Sequence, residues 1–320
     1  MPPRLIRLSA LILALASGWQ VHAADAPKKV LVVTVTMGFR HSSIAAAEAT
    51  LAQLARESGQ FTVEFVRQPE GEPVAPTPPR VGENGEEDPT YQAALRKFVA
   101  DDRAYQVALA AWTAEVVEVL QKLSPASLAN YDGVIFANTT GDLPLPDKQG
   151  FVDWVASGKA FIGTHSASDT FHEFPPYVAM LGGEFRTHGP QVTAQCLNHD
   201  PAHAACTPLP AVWTVYDEIY EFNRFERARV HGLLSLDRLA LDGDGNGQTP
   251  GDYPISWSRI HGSGRVFYTA LGHREDIWDP VRQEPGGRRN QPAVARQFQL
   301  HLLGGILWAL GLAPGTTQSN

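Results

Sequence analysis

Residues 28–36, KKVLVVTVT, form a near-continuous apolar, β-branched run. That is the pattern of a parallel strand buried on both faces, not of one with a face in water. GFRHSS follows, and IAAAEATLAQLARES then carries Ile44, Leu51, Leu54 and Ala55 at helical spacing. FTVEFV at 61–66 reads as a second strand. Strand, helix and strand in this order open a doubly wound α/β sheet of flavodoxin-like type. YDGVIFANTT predicts a third strand, DKQGFVDWVASG a helix stopped at Gly158, and KAFIGT a fourth strand.

Between the second and third strands lies an insertion over 69–110. Its first part, 69–90, is rich in Pro, Gly and Glu and has no apolar period, so it reads as a solvated, disordered segment. The stretch from Tyr91 to Leu123 has Ala, Leu and Val at helical spacing and predicts one or two helices. Beyond 182 the texture becomes β-rich: QVTAQC, AVWTVYDEIYEF, ARVHGLLSL, YPISWSR and GRVFYTALG, a C-terminal elaboration of the sheet. AVARQFQLHLLGGILWALG closes the fold as an amphipathic helix, and 313–320 reads as a flexible tail.

The first 23 residues read as a signal peptide. Arg4 and Arg7 precede an apolar stretch from Leu8 to Ala16, too short to span a bilayer, and Val21-His22-Ala23 supplies a small-residue cleavage site. The expectation is therefore a periplasmic or secreted protein without membrane insertion. The 34 acidic residues outnumber the 26 basic ones, which argues against nucleic acid or anionic lipid as a partner. A neutral sugar remains open. In an exported chain the two Cys, Cys196 and Cys206, closing a short Pro-containing loop, read as a disulfide in preference to a zinc site with His199 and His203. LDGDGNGQTPGD places Asp242, Asp244 and Asn246 at the first, third and fifth positions of a calcium-loop pattern over 242–247. Tyr253 stands where an EF-hand has its bidentate Glu, so a plain Asp/Gly turn competes with calcium binding.

The chemistry concentrates where strands end. In AFIGTHSASDTF an apolar run stops at Gly163 and a polar turn presents His165, an arrangement that resembles a nucleophile elbow with imidazole in place of a hydroxyl or thiol. His41, His188 and His273 also fall at or near predicted strand ends, which gather along one edge of a doubly wound sheet. Imidazoles so placed serve as general acids, bases or ligands of a divalent metal. A single His bonded to backbone is the bland reading, and it weakens when four converge. Arg40, beside His41, could hold an anion or a hydroxyl. Asp169 could orient His165 or cap a turn. In YDEIYEF, read as one extended strand, Glu218 shares a face with Tyr216 and Tyr220, and Asp217 with Glu221. A carboxylate among aromatic rings suits a sugar. Asn138, Ser166 and Glu275 complete the candidate substrate contacts.

Taken together, GFRHSSI, YDGVIFANTTGD, FVDWVASGKAFIGTHSASDTF, YVAMLGGEFRTHG, DEIYEF and GRVFYTALGHRED, with the ILWALG helix, resemble the ThuA-like (trehalose-utilisation) family over residues 29–312. The resemblance implies a class I glutamine amidotransferase-like fold and a role in disaccharide catabolism, acting on or binding a sugar or an oxidised sugar derivative. Set against the amidotransferase pattern, His165 stands where the nucleophilic Cys would be, and His273 and Glu275 match the His-x-Glu of that triad. Without a thiol no glutaminase activity is expected. Acid–base chemistry at the His cluster, sugar binding without chemistry, and metal-dependent hydrolysis of another small molecule stay open.

Overall fold

A computed structural model describes residues 26–83, 85–236, 253–282 and 286–319. The signal-peptide segment and the calcium-loop positions Asp242, Asp244 and Asn246 lie outside the described residues. A nine-stranded sheet runs through the molecule in the order β2-β1-β3-β4-β11-β10-β9-β6-β7. Its parallel half is β2 (Phe61–Val66), β1 (Lys28–Val33), β3 (Gly133–Ala137), β4 (Ala160–Thr164) and β11 (Gly264–Thr269). This is the flavodoxin-like order, with the last strand of the chain in the fifth place. From β11 outward the pairing is antiparallel through β10 (Pro254–His261), β9 (His231–Leu236), β6 (Val192–Asn198) and β7 (Val212–Asp217). A separate two-stranded ribbon joins β5 (Glu184–His188) to β8 (Tyr220–Asn223). YDEIYEF is thus broken at Glu218-Ile219 into strands of two sheets, not one continuous strand.

Alternate residues of the parallel strands feed two cores, one on each face. Val30, Val32, Ile135, Ile162 and Phe267 pack under helices α1 (Ile44–Ser58) and α7 (Pro292–Ala309). Leu31, Val33, Val134, Phe136, Phe161 and Tyr268 pack on the other face with Trp112 and Val116 of α2 (Pro89–Val119), the short α3 (Pro125–Leu128), α4 (Lys148–Ala156) and α5 (Pro175–Leu181). A last short helix, α6 (Glu275–Trp278), follows the end of β11. Gly305 of α7 lies so near Phe267 that a Cβ would come within 2.4 Å of the ring, which sets how closely helix and sheet approach. Among the described residues no helix is long and apolar enough to cross a membrane.

The insertion forms one long helix, started by Asp88, whose side chain accepts from the Thr90 amide, and by Pro89. Of its residues only Trp112 and Val116 are fully buried. Residues 69–83 form no helix or strand, and Val74 is 90% exposed. Few buried contacts hold this segment, so limited proteolysis is expected to cut it first and leave the sheet intact. Cleavage there no faster than in the core would contradict this.

The expected disulfide is not formed: Cys196 and Cys206 are free thiols. Cys196 points from β6 into the core with Ala194 and Trp213, while the Cys206 sulfur points at the Leu233 carbonyl, 3.9 Å away. Proximity in sequence does not make two side chains face each other. Each behaves as a small apolar residue, and burial pushes both thiols up to about 12. The tail beyond 312 is also anchored: the Ala204 amide donates to the Pro314 carbonyl, and Gly315 lies against His203 and Trp308.

Candidate functional site

His165 terminates β4 with φ of +45°, in the left-handed region that a non-glycine residue adopts only at a cost. The turn His165–Asp169 that follows is a short 3-10 helix, a strained strand-end turn as the sequence suggested, but it does not present the imidazole to solvent as an elbow would. The imidazole is completely buried. Its Nδ1–H donates to the Ala270 carbonyl at 2.8 Å, so Nε2 must carry a lone pair. That nitrogen lies 3.1 Å from His41 Nε2 and 3.0 Å from the Tyr220 hydroxyl.

Three further elements bring partners to this point. His41 comes from the loop after β1, and the Ser166 hydroxyl lies 3.3 Å from its Nδ1. His273 follows β11, with Nδ1 3.2 Å from Glu218 Oε2 but off the line of a hydrogen bond, so this buried nitrogen lacks an aligned partner. Glu218 sits in the break between β7 and β8. Its Oε2 is 3.7 Å from His165 Nε2, and its Oε1 is 2.9 Å from His188 Nδ1 at the end of β5. One ligand-type atom from each of His41, His165, Glu218 and His273 lies within 4.8 Å of the others. In front of them opens a pocket of about 350 Å³, lined by Phe39, His41, Asp169, Phe185, His188, Glu218, Tyr220 and His273. Phe39, 67% exposed, stands at its rim.

The break that frees Glu218 has a local cause. Asp217, fully buried, accepts the backbone N–H groups of Gly272 and Arg274 at 2.7 and 3.2 Å, which pulls the end of β7 toward the loop after β11. Burial raises its proton affinity against these bonds. The same physics splits the imidazoles. Burial, then the neighbouring His273, lowers His41 to about 4, and burial, then His41 and His273, takes His165 well below the ordinary range. His273 moves the other way: burial opposes its charge, but Glu218, with Asp217 and Glu275, outweighs it. Burial also holds Tyr220 firmly as the neutral phenol.

All four expected His therefore converge, with Glu218 and Tyr220. Other expectations need correction. Asp169 lines the pocket but does not orient His165; it takes His172 Nε2 at 2.6 Å, and His172 reaches on to Glu184 at 3.0 Å. Asn138, also at positive φ, is buried behind the site, donating to Ser43 Oγ and the Gly272 carbonyl and accepting from Thr164. It ties strand ends together and makes no contact with the pocket. Arg40 turns to the Thr34 carbonyl and Gln68, into a neighbouring cleft that shares His41 with the pocket. Tyr216 packs against Arg289, its ring 4.0 Å from the guanidinium, away from Glu218. Glu221 pairs with Arg186, and Glu275 begins α6 without lining the pocket. Sequence reasoning missed His172, Phe39 and Phe185. His172 had a signal, three residues after Asp169 in the same turn; the two Phe had none.

A search of curated proteins found no match. Among solved structures, a ThuA-like protein from Parabacteroides merdae is 18% identical, with a TM-score of 0.58 over 91% of this chain and 92% of that one. Another from Bacteroides uniformis is also 18% identical, with a TM-score of 0.57 over 91% and 95%. At such identity they speak for the fold alone. The match to a family model decides the matter, since it covers residues 81–309: the chain belongs to the ThuA family, described by trehalose utilisation.

Proposed function

We propose that this protein is exported and acts on a sugar or an oxidised sugar derivative, by acid–base chemistry in the pocket between His41, Glu218 and His273. The family's description points to sugar metabolism. The observation that carries the reading is the pocket's composition: titratable groups on the inner wall, and Phe39, Phe185 and Tyr220 as aromatic surfaces. Aromatic faces stack on the C–H surface of a sugar ring, while carboxylate and imidazole address its hydroxyls or a carbonyl oxygen.

Two groups pushed to opposite proton affinities make an acid–base pair. His41, kept neutral, can accept a proton from the substrate; His273, whose proton affinity Glu218 raises, can return one or hold a developing oxyanion. His165 does not line the pocket and acts only through its neighbours. With no thiol at the strand-end turn, glutaminase chemistry has no nucleophile.

The test is turnover of disaccharides and their keto derivatives by the pure mature protein. Glu218→Gln and His273→Ala should each lower the rate by about 10²–10⁴. The rate should fall as pH rises and His273 loses its proton, and fall again near about pH 4 as His41 gains one. Sugar binding without turnover would leave a binding protein, and neither binding nor turnover would overturn the reading.

A further inference from the structure

We propose that His41, His165, His273 and Glu218 form a binding site for one divalent transition-metal ion of the zinc type. This rests on the sugar reading only for what the ion would act upon. The first argument is a hydrogen-bond count. His165 Nδ1–H is committed to the Ala270 carbonyl, leaving one lone pair on Nε2. Two groups crowd that lone pair, His41 Nε2 at 3.1 Å and the Tyr220 hydroxyl at 3.0 Å. One lone pair cannot take both donors in line. If the His41 Nδ1–H instead donates to Ser166 Oγ, 3.3 Å away, His41 Nε2 also presents a lone pair, and two lone pairs then face each other. His273 Nδ1 is buried beside them without an aligned partner. A cation among these atoms satisfies the three imidazole nitrogens, while the Tyr220 hydroxyl gives up His165 Nε2 as an acceptor.

The second argument is metric. Ligand atoms about 2.1 Å from a zinc-type ion lie about 3.4 Å from one another in a tetrahedron. The neighbouring separations here are 3.1 Å for His41 to His165, 3.7 Å for His165 to Glu218, and 3.2 Å for Glu218 to His273. They bracket the required value. No pair exceeds 4.8 Å, a span that a five-coordinate shell with one position open to the pocket accommodates after small side-chain shifts.

The third argument is chemical. Three imidazoles and one carboxylate are the donor set of zinc, iron, cobalt or nickel, not of calcium or magnesium, which prefer oxygen. His165, with its Nδ1–H committed to the Ala270 carbonyl, already offers on Nε2 the lone pair a metal needs. The support around the donors is that of a metal centre: the Ala270 carbonyl fixes one tautomer, and His188 lies against the outer oxygen of Glu218. With the ion in place, it would polarise an oxygen of the bound molecule. His41 and His273 would then hold the ion, their acid–base roles belonging to the metal-free protein, and proton transfer would fall to His188 and Asp169 on the pocket wall.

Full-length protein is stripped with a chelator, checked by circular dichroism, and titrated with zinc chloride and cobalt chloride, with metal content measured by mass spectrometry. One ion per chain is expected, with visible d–d absorption for cobalt in a nitrogen-rich site. His165→Ala and Glu218→Ala should weaken binding more than 100-fold, and His188→Ala about 10-fold as an outer partner. His273→Ala, at a half-buried position, keeps the test valid if the His165 variant fails to fold. Undetectable binding at micromolar metal, or binding indifferent to His165 and His273, overturns the proposal. Sugar binding by the stripped protein together with no metal uptake at micromolar zinc or cobalt overturns the proposal while sparing the sugar reading. Stoichiometric metal without any sugar response upholds the site and removes the sugar.

Discussion

Acidification from about pH 6.5 to pH 4 is expected to cost this protein several kcal/mol of stability. His203 and His301, remote from the pocket, are both held at about 4, mainly by burial. His301 donates Nδ1–H to the Ala205 carbonyl, leaves Nε2 without a partner, and packs between Trp213 and Phe267. His203 accepts the Ala205 amide and lies against Trp308 and His231; Asp200 eases its charging only in part. The sign follows from the depressed values. Above about pH 6.5 both native and unfolded forms are neutral there, and the full contribution is present. As pH falls, the unfolded chain takes protons first, and the native state loses ground until about pH 4. Each such imidazole then costs up to about 3 kcal/mol, against a total stability of about 5–15 kcal/mol. Asp217, with its raised value, works in the opposite direction and offsets part of this. Urea unfolding at pH steps across this range would read the loss directly, and His301→Gln should flatten the curve. A wild-type curve level from pH 7 to pH 4.5 would refute the argument.

Much of the parallel half was legible in the sequence because strands buried on both faces must be apolar throughout. The runs at 28–33, 133–137 and 160–164 occupy the centre of the sheet, whereas the strand at 264–269, read as part of the C-terminal elaboration, in fact completes the parallel half beside 160–164. The His cluster was legible for a related reason: an apolar run ending in His marks the carboxyl edge, where a doubly wound sheet gathers its loops. What stayed hidden depends on partners distant in sequence. YDEIYEF alternates like one strand, and only the amides of Gly272 and Arg274, closing on Asp217, break it and free Glu218 for the pocket. Asn138 resembled a ligand donor because a polar residue at a strand end does, whether it faces a substrate or, as here, ties Ser43, Thr164 and Gly272 together. Phe39 and Phe185 carry no polar mark at all. Cys196 and Cys206 failed as a pair because spacing along the chain says nothing of which way each sulfur points.

Asp276→Ala is expected to destabilise the protein by about 3–5 kcal/mol and to disable the pocket with it, although Asp276 does not line the pocket. The carboxylate is wholly buried and accepts from five groups. Arg274 grips both oxygens at 3.0 Å, the amides of Arg289 and Asn290 approach at 2.7 and 3.2 Å, and Asn290 Nδ2 adds a bond at 2.8 Å. Burial works against the charge, but these bonds outweigh it and hold the acid at about 2. The depressed value means the contribution is complete above the unfolded carboxylate range and is lost only as pH falls toward 2, below the window in which the buried imidazoles fail. Truncation takes two bonds from the Arg274 guanidinium, 14% exposed, and leaves the backbone N–H groups of Arg289 and Asn290 without their acceptor. Asn290 would be released too, and with it the bonds that clamp both backbone groups of Tyr216. Since Tyr216 precedes Asp217 and the Arg274 amide bonds to that residue, the slack passes directly to Glu218 and His273. Asp276→Asn keeps the shape and part of the bonding and should cost less than half as much. Urea unfolding of both variants at pH 7, with zinc titration of whichever remains folded, checks the two halves of the prediction. A loss below 1 kcal/mol would class the Arg274–Asp276 pair with ordinary surface ion pairs, and full stability with weakened zinc binding would show that the clamp serves the pocket alone.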